Sequence, residues 1–335
     1  MKCKFIVISV LSFIILLACS DDDCDSLSGK WSRVGDIYVS ADVDNEYHNE
    51  GVTFKIGESV FWCVGDLLYR VSGKSNISNA LDKFPGTARK GAVAFVIGEK
   101  AYVGLGYSEE EGERVYHDDF WVFNGKTYKW EIEPLLYQFP GGARGNAVAF
   151  TLEGRGYVGT GQYAGETLRD FYTFDPETGW HEFESLKHSF YGGVAFVAGG
   201  CAYVCTGGKD LDALSSKTYD LFVGMYKLTL ATGKWETLDR IDGEGGMFDG
   251  TRIHASCFVL KHGGREYAYV VSGLNQYGMA IANCMRYDPR KDKWQEVAYL
   301  PEPTVGGSAF SIDGKGYVMV DQRRGFNNTL WEFQP

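Results

Sequence analysis

The chain has 335 residues, with 44 acidic side chains against 33 basic ones and a formal net charge of −11. This acidic balance argues against nucleic acids and anionic lipid headgroups as partners, because their phosphates would be repelled. The 43 Gly, 21 Tyr, 21 Phe and 8 Trp against only 8 Pro are typical of short aromatic strands joined by tight turns. Composition therefore predicts a large all-β protein and not a disordered one.

The first 18 residues form a secretory signal by their pattern. Lys2 and Lys4 precede an apolar run from Phe5 to Ala18, which is too short to span a bilayer. The run ends in Leu16-Leu17-Ala18-Cys19, which resembles the lipobox of bacterial lipoproteins. That resemblance implies that residues 1–18 are removed, that Cys19 carries the lipid, and that residues 19–26 form an acidic tether.

The tether bears on where the protein is found. Asp21, Asp22 and Asp23 resemble the surface-export signal of Bacteroidetes lipoproteins, and a plain solvated linker is the alternative. Loss of residues 1–18 removes two Lys and no acids, so the formal charge goes from −11 to −13. We therefore expect an outer-membrane lipoprotein, exposed at the cell surface and held to the membrane only by lipid on Cys19.

The other cysteines fit no bridge or metal site. No CxxC motif occurs, and Cys201 and Cys205, four residues apart on one strand, would lie about 13 Å apart. We expect the mature cysteines to be small core residues.

A repeated strand organises the chain beyond the tether. Its aromatic residue recurs at Phe61, Tyr102, Tyr157, Tyr203, Tyr269 and Tyr317. Four positions later come Gly65, Gly106, Gly161, Gly207, Gly273 and Asp321, where glycine permits a sharp exit from the strand. Six copies with short connections predict six antiparallel four-stranded units.

A tryptophan marks the fourth strand of most units, at Trp130, Trp180, Trp235 and Trp294. The unit between Val52 and Leu81 lacks it. The last unit, Val305 to Phe333, has only three strands, while Gly29-Lys30-Trp31 repeats the Gly-Lys-Trp that ends at Trp235. The N-terminal strand around Trp31 is therefore predicted to complete the last unit.

These features resemble Kelch-repeat proteins, through the strands AYVGLG, GYVGTG, AYVCTGG and AYVVSG and the tryptophans. The resemblance implies a six-bladed Kelch-type β-propeller over residues 27–335, closed by one N-terminal and three C-terminal strands. Galactose oxidase belongs to such propellers, but no matching set of Tyr, His and Cys occurs here, so we expect no metal and no cofactor.

Propeller topology predicts that the connections after second and fourth strands emerge on one face, called here the loop-rich face. Several carry cations just before an inner strand or nearby. These cations are Arg89, Arg144, Arg252, His188, Lys209 and Arg323. They are suited to a carboxylate or sulfate on a sugar, or else they pair with blade-edge carboxylates and loop carbonyls. Asp119, which opens a third strand, has a turn role as its default.

The same connections carry aromatic and amide side chains that are suited to saccharides, because sugar C–H faces stack and hydroxyls need donors and acceptors. These are Tyr107, Tyr163, Tyr191, Tyr277, Gln162 and Asn275. Tyr is abundant throughout the chain, so core roles for them remain open. The acidic run from Glu109 to Glu113 is a solvated loop tip or a weak Ca²⁺ site.

Three functions remain open from the sequence. The leading hypothesis is a binding protein without catalysis, which presents the loop-rich face to a glycan or an envelope protein. The second is a sugar-active enzyme resembling the Kelch-type sialic acid mutarotases, in which arginine holds the carboxylate and another residue moves a proton. The third is a scaffold of an outer-membrane complex. No catalytic residue stands out.

Overall fold

The computed structural model describes residues 28–38, 51–74, 80–209, 218–238, 241, 250–321 and 327–335. Every regular element in these ranges is a β-strand. The described residues contain no helix of the length and hydropathy that a membrane span requires. The signal, Cys19, the tether and Arg323 lie outside the described residues.

Most strands form six antiparallel sheets, the blades of a propeller. Strand β1 is Lys30–Tyr38. Blade 1 contains β2 (Val52–Ile56), β3 (Ser59–Val64) and β4 (Leu67–Val71). Blade 2 contains β5 (Val93–Ile97), β6 (Lys100–Gly104), β9 (Phe120–Asn124) and β10 (Lys129–Trp130), with the hairpin β7 (Tyr107–Glu110) and β8 (Glu113–Tyr116) inserted. Blade 3 contains β11 (Val148–Leu152), β12 (Arg155–Gly159), β15 (Phe171–Asp175) and β16 (Gly179–Phe183), with the hairpin β13 (Gln162–Tyr163) and β14 (Glu166–Thr167) inserted.

Three blades complete the circle. Blade 4 contains β17 (Val194–Ala198), β18 (Cys201–Cys205), β19 (Met225–Thr229) and β20 (Lys234–Leu238). Blade 5 contains β21 (Ser256–His262), β22 (Arg265–Val271), β23 (Cys284–Asp288) and β24 (Lys293–Val297). Blade 6 contains β25 (Ser308–Ile312), β26 (Lys315–Asp321) and β27 (Asn327–Gln334), and β1 is its outer strand. The innermost strands contact one another in order around the ring, from β2 to β25 and back to β2.

The closure of the ring by the N-terminal strand is confirmed. Strand β1 pairs antiparallel with β27, so that Trp31 lies opposite Phe333. The Trp31 indole donates a hydrogen bond of 2.7 Å to the Ala298 carbonyl between blades 5 and 6. Three other fourth-strand tryptophans make the same joint, from Trp130 to Asp82 O, Trp180 to Tyr137 O and Trp235 to Glu184 O, whereas the buried Trp294 indole does not. In blades 2, 3, 4 and 6 the tryptophan therefore fastens the blade to the connection that precedes it.

The repeated aromatic residue of the second strand stacks on a phenylalanine of the first strand in the same blade. Phe95 and Tyr102 lie 5.0 Å apart with an interplanar angle of 8°, and Phe150 and Tyr157 repeat this at 5.0 Å and 6°. The next blade packs against the pair: a Cβ on Gly156 would meet the Phe95 ring at 2.3 Å. Interleaved aromatic layers of this kind make each blade depend on its neighbours.

The cysteines that the structure describes are free thiols within the sheets, as the sequence predicts. Burial is the main cause that raises the pKa of Cys63 to about 12. It raises the pKa of Cys205 and Cys284 as well. Thiols held protonated in this way behave as small apolar side chains.

Candidate functional site on the loop-rich face

The connections from second to third strand and from fourth to first strand meet on one face, as the sequence predicts. Single β-bridges join them within a blade: Lys90 to Tyr107, Gly145 to Gln162, Tyr191 to Gly208 and Ile253 to Leu274. Two of the second-to-third connections fold back as the hairpins β7–β8 and β13–β14. The acidic run therefore lies at a hairpin tip, where Glu111 and Gly112 adopt left-handed backbone angles.

Arg89 and Arg144 are buried clamps within blades 2 and 3. Arg144, 1% exposed, donates to both oxygens of Asp170 at 2.7 and 2.9 Å and to the Thr160 carbonyl at 3.1 Å. Arg89, 4% exposed, donates to both Asp119 oxygens and to the Leu105 carbonyl. Both guanidinium groups also lie over phenylalanine rings. Pairing with blade-edge carboxylates, one of the two roles the sequence left open, is therefore what these two arginines do.

The ion pair with Arg89 changes the pKa of its partner carboxylate, Asp119. Burial alone would raise the pKa of Asp119, but hydrogen bonds from Arg89 and Trp121 and the Arg89 charge outweigh it and lower that pKa below its usual value. Asp119 thus stays ionised and holds the arginine away from the channel. Its role is an ion pair, where the sequence alone favoured a turn.

Arg252 occupies the equivalent place in blade 5 and is completely buried. Its guanidinium donates to the carbonyls of Ser272 and Asn283, both at 3.2 Å, and contacts the Met285 sulfur at 3.4 Å. Arg89, Arg144 and Arg252 are therefore buried within their blades and form no exposed cationic surface. Any exposed positive charge on the loop-rich face must come from other residues.

A ring of backbone hydrogen bonds lines the channel mouth on this face. Each donor is the residue two positions before a first strand, and each acceptor is its counterpart in the preceding blade. In this ring Asn146 N donates to Gly91 O, Gly192 N to Asn146 O, His254 N to Gly192 O, and Gly306 N to His254 O. All five residues have left-handed φ angles between 53° and 66°. Asn146 and His254 are the non-glycine members, so the ring carries two polar side chains at the mouth.

The side chains of this mouth ring lean over the glycines before them. The Asn146 Oδ1 atom lies 2.6 Å from where a Cβ of Gly91 would stand. The His254 ring lies 3.0 Å from the corresponding position on Gly192 and faces the Tyr191 ring edge-on at 5.8 Å. Glycine is required at Gly91 and Gly192 for room as well as for the backbone angle.

An aromatic cluster spans the two hairpins at the junction of blades 2 and 3. Tyr107 is buried and contacts Tyr116 at 5.8 Å, and the Arg114 guanidinium lies over its ring at 4.6 Å. Tyr116 meets Tyr163 of the next hairpin edge-on at 5.4 Å. Tyr163 is 50% exposed. The cluster is thus a fixed base of rings with one ring presented to solvent.

A basic group lies at the junction of blades 3 and 4. His188 is exposed, and its Nδ1 atom lies 2.7 Å from the hydroxyl of Tyr226. Burial lowers the pKa of His188 first, and the charges of Lys187 and Lys209 lower it further. Lys209 also lies 3.3 Å from the Asp220 carboxylate. His188 and Lys209 therefore lie at the same junction, near enough for the Lys209 charge to act on the imidazole, and the arginines do not take part.

The other predicted residues are divided between core and surface. Tyr191 and Gln162 are buried, Tyr191 against Leu221 and Ile253. The Asn275 side chain accepts backbone hydrogen bonds from Tyr277 and Met279, so it shapes its own loop. Tyr277 is 60% exposed. These residues lie on the loop-rich face, but among them only Tyr277 offers an exposed ring.

Sequence reasoning did not select Tyr116, Asn146, Thr167 and Ser189. Tyr116 ends an acidic hairpin, and its importance depends on a neighbour in another blade. Asn146 carried a signal, since it stands where Gly192 and Gly306 stand in other repeats. The Thr167 hydroxyl donates to the Lys209 carbonyl at 3.3 Å and lies 2.9 Å from the Ser189 hydroxyl, contacts that no spacing reveals.

The described residues hold no group of three or more His, Cys, Asp or Glu side chains with the geometry of a metal site. The carboxyl groups with resolved pKa shifts, Asp119 and Glu332, both have lowered pKa values. Neither is therefore tuned as a general base that takes up a proton near neutral pH.

Comparison with known proteins supports a Kelch-like β-propeller. The chain is 24% identical over 238 residues to N-acetylneuraminate epimerase of Haemophilus influenzae strain 86-028NP, and to its counterpart in strain PittEE. Each alignment covers 69% of this chain and 52% of the relative, so the chain matches about half the length of these relatives. The solved structure of YjhT has a TM-score of 0.68 at 15% identity and covers 86% of this chain and 98% of that one. No protein-family model matches the chain.

Proposed function

We propose that this protein is a saccharide-binding β-propeller of the cell envelope, which holds its ligand on the loop-rich face without transforming it. The observation that carries the proposal is the aromatic cluster of Tyr107, Tyr116 and Tyr163, which offers one half-exposed ring on a rigid base. A ring fixed in this way loses little entropy when a sugar stacks on it.

The surroundings of Tyr163 supply the polar partners that a saccharide needs. The neighbouring junction presents His188, Ser189 and Thr167, which are imidazole and hydroxyl groups. The mouth ring adds the Asn146 amide and the His254 imidazole. The acidic surface disfavours a polyanion, which the protein as a whole would repel.

The direct test is a glycan array probed with the protein lacking residues 1–25. We expect binding to a restricted group of glycans, and we expect Tyr163→Ala to weaken it at least fivefold at unchanged melting temperature. Absence of binding to every glycan would contradict the proposal.

A sugar-active enzyme is the second candidate, because the relatives are named N-acetylneuraminate epimerases. The proton-moving groups available at the mouth are imidazoles, such as His254. Proton NMR of freshly dissolved N-acetylneuraminic acid measures anomer interconversion. Acceleration by the wild type and its loss in His254→Gln would favour the enzyme over the binding protein.

Envelope attachment through Cys19 is part of the same proposal and rests on the lipobox pattern and the acidic tether. Metabolic labelling with a fatty acid and a Cys19→Ala variant test it. We expect the wild type to carry the label and the variant to be soluble and unlabelled. Label in the variant would contradict the attachment.

A further inference from the structure

We propose that the junction of blades 3 and 4 is an anion subsite for an acidic oligosaccharide, formed by the His188 imidazole and the Lys209 ammonium. This inference rests on the proposed saccharide binding and adds the ligand's charge, minimum size and direction. It is carried by the hydrogen bonds that fix His188 and by the opposite charges on the two sides of the hairpin β13–β14.

The Tyr226 hydroxyl fixes which nitrogen of His188 carries the proton. This hydroxyl accepts the backbone N–H of His188 at 3.0 Å, and backbone hydrogen bonds from His188 and Lys187 act on its pKa. A phenol that accepts from the backbone has its single proton left to donate, and the nearest acceptor is His188 Nδ1 at 2.7 Å. The neutral ring therefore carries its proton on Nε2, where it is a donor at an exposed position.

The stack beneath the ring holds it in place. Tyr226 is buried and lies parallel to Phe222 at 5.4 Å, and Phe222 lies parallel to Phe190 at 4.7 Å. Because its hydrogen-bond partner cannot move, the His188 donor is positioned before a ligand arrives.

A second donor lies at the same junction as His188. The Lys209 carbonyl lies 3.3 Å from the Thr167 hydroxyl, which is 2.9 Å from the hydroxyl of Ser189, the neighbour of His188. Because a carbonyl can only accept, Thr167 donates to it and Ser189 donates to Thr167. The charge of Lys209, which also pairs with Asp220, lowers the pKa of His188. One imidazole N–H and one ammonium together suit a carboxylate or a sulfate ester.

The hairpin β13–β14 separates this subsite from the aromatic cluster. Tyr163 pairs with Glu166, and Gln162 pairs with Thr167, so the two pairs point to opposite faces of the hairpin. Tyr163 accordingly contacts blade 2 through Tyr116, and Thr167 contacts the Lys209 backbone in blade 4. From strand spacing, Tyr163 and Thr167 have Cα atoms about 6 Å apart across the hairpin. A ligand that reaches both sides must cross the hairpin edge, which requires more than one sugar ring.

The charges give that ligand a direction. On the blade 2 side the acidic groups Glu109, Glu110, Glu111, Glu113 and Glu166 outnumber the cations Lys90 and Arg114. On the blade 4 side the cations Lys187 and Lys209, beside His188, outnumber Asp220. An acidic sugar would be repelled from the first group and attracted to the second. The neutral ring of the oligosaccharide therefore stacks at Tyr163, and the acidic group binds at His188.

The test uses the protein lacking residues 1–25 and an array of matched pairs: lactose with 3′-sialyllactose, and N-acetyllactosamine with its 6-sulfated form. We expect at least one acidic member to bind about tenfold more tightly than its neutral twin, and free N-acetylneuraminic acid to bind more weakly than 3′-sialyllactose. Equal binding within both pairs would overturn the subsite while leaving saccharide binding in place. Binding to no member would overturn both.

Variants assign the preference to this junction. Lys209→Gln should reduce the acidic preference by about tenfold without changing affinity for the neutral twin, while Lys261→Gln, near the end of β21 at the opposite face, should retain it. Asp220→Asn should strengthen it. In Tyr226→Phe the His188 ring should no longer be held in the Nε2–H tautomer. Long-range proton–nitrogen NMR of the His188 ring detects this change. An unchanged tautomer together with unchanged affinity for acidic members would contradict the positioning role of Tyr226.

Discussion

Blades 3 and 4 secure the same corner of the repeat with different chemistry. In blade 3 the residue four positions before the first strand is Arg144, which is clamped to Asp170 and accepts the Gly106 N–H on its carbonyl. In blade 4 this place belongs to Phe190, whose carbonyl accepts the Gly161 N–H in the same way. Its ring stacks on Phe222 at an interplanar angle of 5°. The backbone joint is constant between the two blades, and the side chain that fills it changes.

This difference shows which side chains on the loop-rich face hold the blades together and which remain exposed to a ligand. In blade 3 the Arg144 guanidinium is buried and hydrogen-bonded to Asp170. It therefore contributes nothing to the exposed charge of the loop-rich face. The blade 4 stack leaves no buried charge to satisfy, and it positions Tyr226 beneath His188. The basic surface therefore lies beside a blade that has no arginine at this position.

The largest expected effect comes from breaking the blade 3 clamp. Arg144→Met leaves Asp170 partly buried without its cation, and we expect a loss of about 3 kcal/mol in the free energy of unfolding, measured by urea titration. Arg155→Met is the matched control, because its 3.7 Å contact with Asp175 is exposed and should be worth less than about 0.5 kcal/mol. Equal losses in the two variants would contradict the clamp.

The mouth ring gives a smaller effect. Gly192→Ala adds a Cβ that meets Ile253 and His254 at 2.8 and 3.0 Å, on a residue with φ of 62°. We expect a loss of about 1–2 kcal/mol. Asn146→Gly, at the equivalent place in blade 3, permits the same angle and should change stability by about 0.5 kcal/mol or less. A large loss in Asn146→Gly with none in Gly192→Ala would reverse the expected order.

Acid should weaken blade 2 before blade 4. The pKa of Asp119 is lowered in the folded protein, so its contribution is complete above the usual Asp pKa and is lost as pH falls through the folded value. Blade 4 carries no arginine at the corresponding place. Hydrogen exchange at acidic pH should therefore increase first for amides near Arg89. Simultaneous loss of protection in blades 2 and 4 would contradict this.

The smallest effect concerns His117, whose ring contacts the Ser108 hydroxyl at 3.1 Å. Burial and the Arg89 charge lower its pKa, against the opposing effects of Asp119, Glu110 and Asp118. The unfolded chain then binds more protons below the usual His pKa, so stability falls as pH drops through that range. His117→Gln should flatten this slope in melting temperature against pH. An unchanged slope of melting temperature against pH would show that a group other than His117 causes the pH dependence.

The sequence predicted the blades because the evidence for them is local and repeated. The spacing from Tyr157 to Gly161 and the copy of Trp235 at Trp31 are sufficient for six blades and their closure. The site was harder to predict, since its contacts join residues from different blades. Arg144 was visible as a repeat position, but only the fold shows that its guanidinium turns toward Asp170. The contact of Tyr116 with Tyr163 depends on the length and tilt of two hairpins, which residue types do not encode.

The central claim is that the loop-rich face binds a saccharide at Tyr163. Isothermal titration calorimetry with the strongest glycan of the array tests it most directly, by comparing Tyr163→Ala with Tyr299→Ala. The two tyrosines are 50% and 47% exposed, and Tyr299 lies in the connection after the outer strand of blade 5. Stacking of a sugar on one aromatic ring is worth about 1–2 kcal/mol, so we predict at least a fivefold loss of affinity for Tyr163→Ala and none for Tyr299→Ala. Equal affinities of the two variants would contradict the claim.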